Sequence, residues 1–367
     1  MKEDSVEVQY MKRALGLARR GLGKTSPNPI VGAVIVMGDR VIGEGYHHCY
    51  GGDHAEVIAL RSAQEQVRDG TIYVTMEPCC QYERKVPSCL DRIIGSGVRR
   101  VVLGTLDPHP AVSGRGARVL DGSGIETTMG VLEEDCRKAN EMYFKYVRNR
   151  IPFVTLKFAQ TLDGRIASAT GSSQWISSGA SLRLAHRLRS IHDAIMVGIG
   201  TLLKDDPRLT VRLARGSSPI RVVADSRLRI PLNARVLQEQ RVAPTVIATT
   251  LEANKDKRTS LTKMGIEVME VAADDMGHVD LQDLLIRLGK RGVSSLLVEG
   301  GSGIITSMLS QSLADKLVVA IAPKILGKGI EAVGSLGISD IGRCVKLDAV
   351  KVYRKGADLI LEARLLS

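Results

Sequence analysis

One imidazole and two thiols, well separated in the chain, most constrain what this sequence can fold into. His54 opens the run His54-Ala55-Glu56, Cys79 follows Glu77-Pro78, and Cys89 stands beyond a further loop. A histidine and two cysteines, with a fourth position free for water, form the ligand set of a catalytic zinc ion. The local pattern allows the three to meet. Residues 55–67 read as a helix with Val57, Ile58, Leu60 and Ala63 on its apolar side and Asp53 as its N-cap, which puts His54 at a helix N-terminus. Residues 71–76 read as a strand ending at Glu77-Pro78-Cys79, where open α/β sheets place their ligands. Residues 89–96 read as a second helix, and Cys89 at its start faces His54 if the two helices pack side by side.

The chemistry explains the residue types. Two thiolates offset the charge of Zn²⁺, and such an ion still lowers the pKa of a bound water toward neutrality. A carboxylate two residues after the histidine can move protons without ligating the ion. That combination suits hydrolysis at an amidine-like carbon of a heterocycle, with Glu56 passing a proton to a ring nitrogen and then to departing ammonia. Zinc nucleobase deaminases carry this logic as H-x-E followed by P-C-x-x-C. Here no cysteine follows Cys79 at the third position; the next is Cys89, after Arg84, Lys85 and Pro87. Cys80 competes with Cys79 for the ion, and the Pro-Cys match favours Cys79. H-x-E alone occurs often by chance, and it becomes specific only when joined to the strand-terminal Glu-Pro-Cys and the later cysteine.

At 367 residues the chain exceeds one ordinary core, so two domains are expected. Residues 5–22 form an amphipathic helix, 30–36 and 41–42 a hairpin, and 100–104 and 125–129 further strands. A helix over 132–147 ends the first unit. Asn149-Arg150-Ile151-Pro152 marks a junction, giving domains 1–147 and 148–367. Beyond it, apolar strands at 153–159, 194–199, 220–224, 244–249, 266–271, 295–298 and 316–322 alternate with helices near 180–190, 252–264, 279–290 and 303–311. The tail 345–365 reads as further strand, and the whole is a second α/β domain.

The formal charge of +11 would attract either nucleic acid or phosphorylated metabolites. Its basic residues are scattered, with no block of Lys and Arg interleaved with aromatics, which favours metabolites and argues against nucleic acid. Six cysteines in this length suit a reducing compartment and a metal role better than a disulfide framework. No apolar run reaches 18 residues, so no membrane span is expected, and the charged N-terminus predicts a cytoplasmic protein. A homo-oligomer is expected.

In the second domain, the strand Leu296-Leu297-Val298 runs through Glu299-Gly300-Gly301-Ser302-Gly303 into a helix, a turn whose backbone N–H groups can approach a phosphate. The dinucleotide fingerprint G-x-G-x-x-G is absent: Thr306 replaces its third glycine here, and Leu203 does so after Gly198-x-Gly200. An ordinary strand-to-helix turn fits this pattern equally well. Lys204-Asp205-Asp206-Pro207 reads as a solvated turn, and Trp175, the only tryptophan, as a core residue.

Several motifs in order extend the comparison over nearly the whole chain. They include Ser26-Pro27-Asn28-Pro29, Gly45-Tyr46-His47, His54-Ala55-Glu56, Thr75-Met76-Glu77-Pro78-Cys79 and Gly114-Arg115-Gly116. The second half adds Leu162-Asp163-Gly164-Arg165, Gln174-Trp175-Ile176, Asp205-Asp206-Pro207-Arg208-Leu209-Thr210, Val298-Glu299-Gly300-Gly301 and Ala322-Pro323-Lys324. Together these resemble the bifunctional deaminase/reductase family of riboflavin biosynthesis.

The resemblance implies an α/β protein with a cytidine-deaminase-like three-layer α/β/α domain followed by a dihydrofolate-reductase-like α/β domain. It implies zinc-dependent loss of the 2-amino group from a diaminopyrimidinone ribosylamino 5′-phosphate, then NADPH-dependent reduction of the ribosyl group to ribityl. His54, Cys79 and Cys89 would hold zinc, Glu56 would shuttle protons, and Asn28 and His47 would contact the substrate. On the reductase side, the family's substrate positions fall on Ser173, Arg189, Asp205, Leu209, Arg212 and Glu299, with Lys157 facing the sugar. Its cofactor positions fall on Ala159, Trp175, Thr201, Asp205, Ser226, Gly301, Ser302 and Gly303.

The chain departs from the family at Cys80-Gln81, where the family has Ser-His, and its span to Cys89 is one residue longer. His109 replaces an asparagine in the Asp-Pro-x-Pro loop. A base deaminase acting on tRNA would share the zinc centre, but the long Cys79–Cys89 span and the second domain argue against it. A nucleotide sensor or RNA-binding protein with a degenerate metal site would not need His54, Glu56, Cys79 and Cys89 all intact.

Overall fold

The computed structural model describes residues 5–63, 67–80 and 88–366. The chain divides into two compact units, Met1–Arg150 and Ile151–Ser367.

Unit 1 runs α1 (Val6–Ala18), β1 (Gly32–Met37), β2 (Arg40–Tyr46), α2 (Ala55–Ser62), β3 (Thr71–Val74) and α3 (Cys89–Ser96). It continues with β4 (Arg100–Leu103), α4 (Arg115–Gly122), β5 (Glu126–Met129), α5 (Glu133–Ala139) and α6 (Glu141–Asn149). Its sheet has the order β2-β1-β3-β4-β5; β1 is antiparallel to both neighbours, and β3, β4 and β5 are parallel. Side chains alternate along β1, so Ala33 and Ile35 pack with α2 and α3 while Val34 and Val36 pack with α1. Both faces are therefore covered, which explains why these strands read as continuous apolar runs. The result is three layers, α/β/α.

Two local devices aim the site. A Cβ on Gly45 would lie 2.3 Å from the Ala55 carbonyl, so only glycine lets the N-terminus of α2 press against β2. At α3, Ser88 and Asp91 cap each other reciprocally, which fixes the helix start at Cys89, and Gly97 with φ +78° ends it.

The helix expected over 132–147 is broken. Asn140 leaves helical geometry between α5 and α6 because its side chain accepts from Ile30 N–H (2.8 Å) and donates to Ile30 C=O (3.0 Å). The helix expected over 55–67 stops at Ser62. Its N-cap is His54 itself, not Asp53, whose carboxylate pairs instead with Arg61.

Unit 2 runs β6 (Phe153–Thr161), β7 (Arg165–Ser168), α7 (Gly179–Ile191), β8 (Ala194–Gly198), α8 (Ile199–Asp205), β9 (Ile220–Ala224), β10 (Thr245–Thr249) and α9 (Lys255–Lys263). It continues with β11 (Glu267–Glu270), α10 (Leu281–Lys290), β12 (Ser295–Val298), α11 (Ser302–Ser310), β13 (Lys316–Ala322), β14 (Gly329–Glu331), β15 (Leu347–Lys355) and β16 (Asp358–Leu365). The main sheet has the order β11-β10-β9-β8-β12-β6-β13-β16-β15, antiparallel only at its β13-β16-β15 end.

The turn expected at 204–207 is partly helix: α8 carries Lys204 and Asp205, and Asp206 ends it at φ +39°. The short pair β7–β14 was not legible, being too brief to show a period of two. No helix among the described residues is long and apolar enough to cross a membrane.

Candidate functional site

In unit 1, His54, Cys79 and Cys89 converge. One ligand atom from each lies within 4.8 Å of the others. His54 Nδ1 is 3.1 Å from Cys89 Sγ and 3.5 Å from Cys79 Sγ. Zinc–nitrogen bonds of about 2.0 Å and zinc–sulfur bonds of about 2.3 Å on a tetrahedron put ligand atoms roughly 3.5 Å apart, so the donor set fits the ion in both chemistry and spacing. The Cys79 thiol falls well below its usual range because Cys89 and then His54 hydrogen-bond to it, with burial opposing. Cys89, its partner, is pushed up. Cys80 is turned away, its Sγ 3.8 Å from the Ala111 carbonyl. Gln81 and the rest of 81–87 lie outside the described residues.

Glu56, one residue into α2, is 3% exposed, and its Oε2 has no hydrogen-bond partner among the described residues. Burial pushes its carboxyl up to about 7, against the opposing influence of His54. A general acid/base working near neutral pH is best placed there. His47 joins the same group: its ring is 5.3 Å from that of His54. Its Nδ1 donates to the Asp53 carbonyl at 3.0 Å, which leaves Nε2 as an acceptor facing Asn28 Nδ2 at 3.4 Å. Burial lowers the His47 pKa, consistent with a neutral ring.

Sequence reasoning gave Glu77 no role. Its buried carboxylate accepts the N–H groups of Asp107 (3.2 Å), Gly114 (2.9 Å), Gly116 (2.8 Å) and Ala117 (3.4 Å), pinning the loop and the start of α4 beside the cysteines. The glycine-rich run 113–116 was the available signal. His109, the departure in the Asp-Pro-x-Pro loop, helps close that loop: its N–H meets Asp107 Oδ1 at 2.8 Å and its Nδ1 accepts from Ala111 N–H at 3.2 Å.

Unit 2 gathers its candidates at the C-terminal ends of parallel strands. Ala159 lies toward the end of β6, Thr201 follows β8, Ser226 follows β9, and Glu299, Gly301, Ser302 and Gly303 follow β12. Open α/β sheets bind ligands along this edge. Thr201 Oγ1 accepts the Gly301 N–H at 3.0 Å, and no side chain caps α11, so its N-terminal N–H groups suit an anionic group. A Cβ on Gly300 would fall 1.9 Å from Ile304, so this cradle requires glycine there. These residues fit the phosphates of a dinucleotide without the Rossmann fingerprint. Ser226 Oγ accepts the Val279 N–H at 2.9 Å.

A charged cluster completes the unit. Arg189 grips Glu299 through two parallel bonds of 3.0 and 2.7 Å, and its Nη1 reaches the Thr210 carbonyl at 3.2 Å. Burial works to raise the Glu299 carboxyl, yet Arg189 beside it holds it below the usual range. Burial pushes the Lys157 ammonium down, with Glu299 nearby opposing. Exposed Arg212 reaches Thr210 Oγ1 at 2.9 Å, and buried Leu209 adopts φ +56°. Ser173 is half-buried, Trp175 and Asp205 are exposed, and among the described residues no hydrogen bond joins them or Ser226 to this cluster. Trp175, at 70% exposure, is not core; its carbonyl takes Lys324 Nζ at 2.7 Å on the surface.

Residues 4–105 match the model of the cytidine and deoxycytidylate deaminase zinc-binding region, and residues 152–361 match the RibD C-terminal domain. Riboflavin biosynthesis protein RibD of Aquifex aeolicus is 43% identical over 357 residues, covering 97% of this chain and 98% of that protein. The chain belongs to the RibD family. RibD of Escherichia coli is 37% identical, over 96% of this chain and 97% of its own. A Thermotoga maritima diaminohydroxyphosphoribosylaminopyrimidine deaminase/5-amino-6-(5-phosphoribosylamino)uracil reductase superimposes with a TM-score of 0.87 at 38% identity, covering 98% and 99% of the two chains. Acinetobacter baumannii RibD does so with a TM-score of 0.89 at 33% identity over 100% of both. As a member of this family, the chain is a bifunctional deaminase and reductase of riboflavin biosynthesis, with a zinc-dependent deaminase half and an NADPH-dependent reductase half.

Proposed function

We propose that residues 1–147 deaminate the diaminopyrimidinone ribosylamino 5′-phosphate and that residues 148–367 then reduce the ribosyl group of the product to ribityl. The meeting of His54, Cys79 and Cys89 at one point beside the buried carboxyl of Glu56 carries this reading. When bound there, zinc makes a water acidic enough to attack near neutral pH. Glu56 takes one proton of the water and passes it to a ring nitrogen, then carries the proton of the added hydroxyl to the amino group, which leaves as ammonia as the C=O bond forms. Asn28 and neutral His47 hold the pyrimidine by hydrogen bonds.

In the reductase half, NADPH supplies a hydride. The net change adds hydrogen at C1′ and a proton at the ring oxygen, opening the sugar. Lys157, its pKa lowered by burial, is the group that would donate that proton. Arg189 and Arg212 recognise the 5′-phosphate, as planar guanidinium groups do well. Glu299 fixes Arg189, while Ser173, Asp205 and Leu209 complete the substrate side. Ala159, Trp175, Thr201, Asp205, Ser226 and the turn 301–303 take the cofactor.

We place the protein in the cytoplasm as a homo-oligomer acting on small phosphorylated molecules, not on nucleic acid or membranes. Strand β15 ends the sheet and is exposed along its whole length, which supports self-association. Sedimentation at micromolar concentration tests it: a monomer would refute it.

The activity test is direct. Purified protein given the diaminopyrimidinone phosphate and NADPH should release ammonia and oxidise NADPH. Ammonia without NADPH oxidation would leave only the first half of the reading.

A further inference from the structure

Helix α7 carries a second polar group beside Arg189 that the reactions above do not use. His186 lies one turn earlier on the same face and is 1% exposed. Its Nδ1 accepts the backbone N–H of Arg212 at 3.0 Å. That bond fixes the tautomer, because Nδ1 is an acceptor and the ring's remaining proton must sit on Nε2. Among the described residues Nε2–H has no protein acceptor. Arg189 holds the same segment two residues earlier, with Nη1 on the Thr210 carbonyl at 3.2 Å. One helix face thus grips the strip 209–212 at two points, and this strip carries Leu209 and Arg212.

The electrostatics agree. Burial, followed by the Arg189 and Arg212 guanidinium groups, lowers the His186 pKa to about 4. The ring is therefore neutral at working pH, and its acceptor lone pair stays available to the Arg212 N–H. Among the described residues the Arg212 side chain has only a 2.9 Å bond to Thr210 Oγ1 to orient it, so its direction depends on where its backbone is pinned.

We propose that His186 is a positioning residue of the reductase site, holding the Arg212 backbone so that its guanidinium meets the phosphate of the substrate. The proposal rests on Arg212 being a substrate residue. A phosphate contact remote from C1′ binds ground and transition states alike, so its loss appears in KM and not in kcat.

The test is the reductase assay on full-length protein, at saturating NADPH, over a range of the deaminated pyrimidine phosphate. His186→Leu should raise KM about tenfold or more, with kcat within about twofold, since a lost bond to a charged-ligand site is worth about one power of ten. His186→Asn places an amide oxygen near the Nδ1 position and should bring KM back to within about threefold of the parent. His186→Gln places its amide at the Nε2 position and should not restore it. Rescue by Gln but not by Asn would overturn the proposal, because Nε2–H would then be the working group. The Asn–Gln contrast decides even if the Leu variant folds poorly. Arg212→Ala separates the two readings. If it raises KM while His186→Leu does not, the proposal fails and Arg212 stands. If Arg212→Ala leaves KM unchanged, the substrate role of Arg212 fails and takes the proposal with it.

Discussion

Replacing Glu56 with glutamine removes one ionisable group from the deaminase site and leaves its shape almost untouched. The carboxyl is 3% exposed, and burial lifts its pKa from an ordinary 4.5 to about 7. Below pH 4.5 the group is protonated whether the chain is folded or not, and folding costs nothing extra. Between 4.5 and 7 the unfolded chain ionises while the folded one does not, so stability falls as pH rises. Above 7 the penalty is constant. At about 1.36 kcal/mol per pKa unit it amounts to roughly 3 kcal/mol in metal-free protein.

Glu56→Gln therefore has opposed effects. It should lower ammonia release by about two to four powers of ten, because the general acid/base is gone. It should also stabilise the metal-free protein, by well under 1 kcal/mol near pH 4.5 and by roughly 3 kcal/mol at pH 8. Zinc favours the ionised carboxylate, so adding it back should shrink the gain. Urea unfolding of chelator-treated parent and variant at the two pH values, read in the transition that responds to zinc, measures this. Equal stabilisation at both pH values would refute the burial argument, and near-normal ammonia release would remove Glu56 from the chemistry.

Three further outcomes follow from the same geometry. Cys89→Ser should lower zinc content by elemental analysis; full retention would mean that Cys80 can take the vacated place. Glu299→Ala leaves the Arg189 guanidinium buried without its carboxylate and should cost about 3–5 kcal/mol in denaturant at neutral pH. Because Glu299 is held below its ordinary 4.5, that stabilisation is complete above pH 4.5 and is lost as pH falls through the depressed value, so parent and variant should converge in acid. A loss under about 1 kcal/mol at pH 7 would show the pair to be weakly coupled. Glu77→Ala strips the acceptor from four backbone N–H groups, and amide deuterium exchange at Asp107, Gly114, Gly116 and Ala117 should accelerate together. Unchanged protection there would show that the loop holds itself.

Much of unit 1 was legible because its ligands sit at element ends. A helix start, a strand end and a capped helix start each carry a local signal, and a cysteine side chain is too short to wander from its backbone. What failed locally failed for tertiary reasons. Asn140 reads as a helical residue, and only Ile30, far away in sequence, draws it out of the helix. Asp53 has the chemistry of an N-cap, but Arg61 claims its carboxylate. Trp175 is apolar enough for a core yet stands on a loop, a placement no window of sequence could distinguish.

Unit 2 shows the other limit. The strands of its main sheet were readable, and so was the glycine turn after Glu299, since backbone approach needs glycine wherever it occurs. The cluster was not readable from residue pattern, because Lys157, His186, Arg189, Arg212 and Glu299 come from four separate segments, with His186 and Arg189 sharing α7. Arg189 and Glu299 lie far apart in sequence and each alone reads as a solvated charge; only their parallel bonds make them a unit. The resemblance named four of these residues and left out His186, whose work is done on a backbone N–H and leaves no trace in charge or spacing. The positions that the resemblance assigns to the ligand carry family motifs, whereas the bond from the Arg212 N–H to His186 is visible only when the packed helix and the strip it holds are seen together.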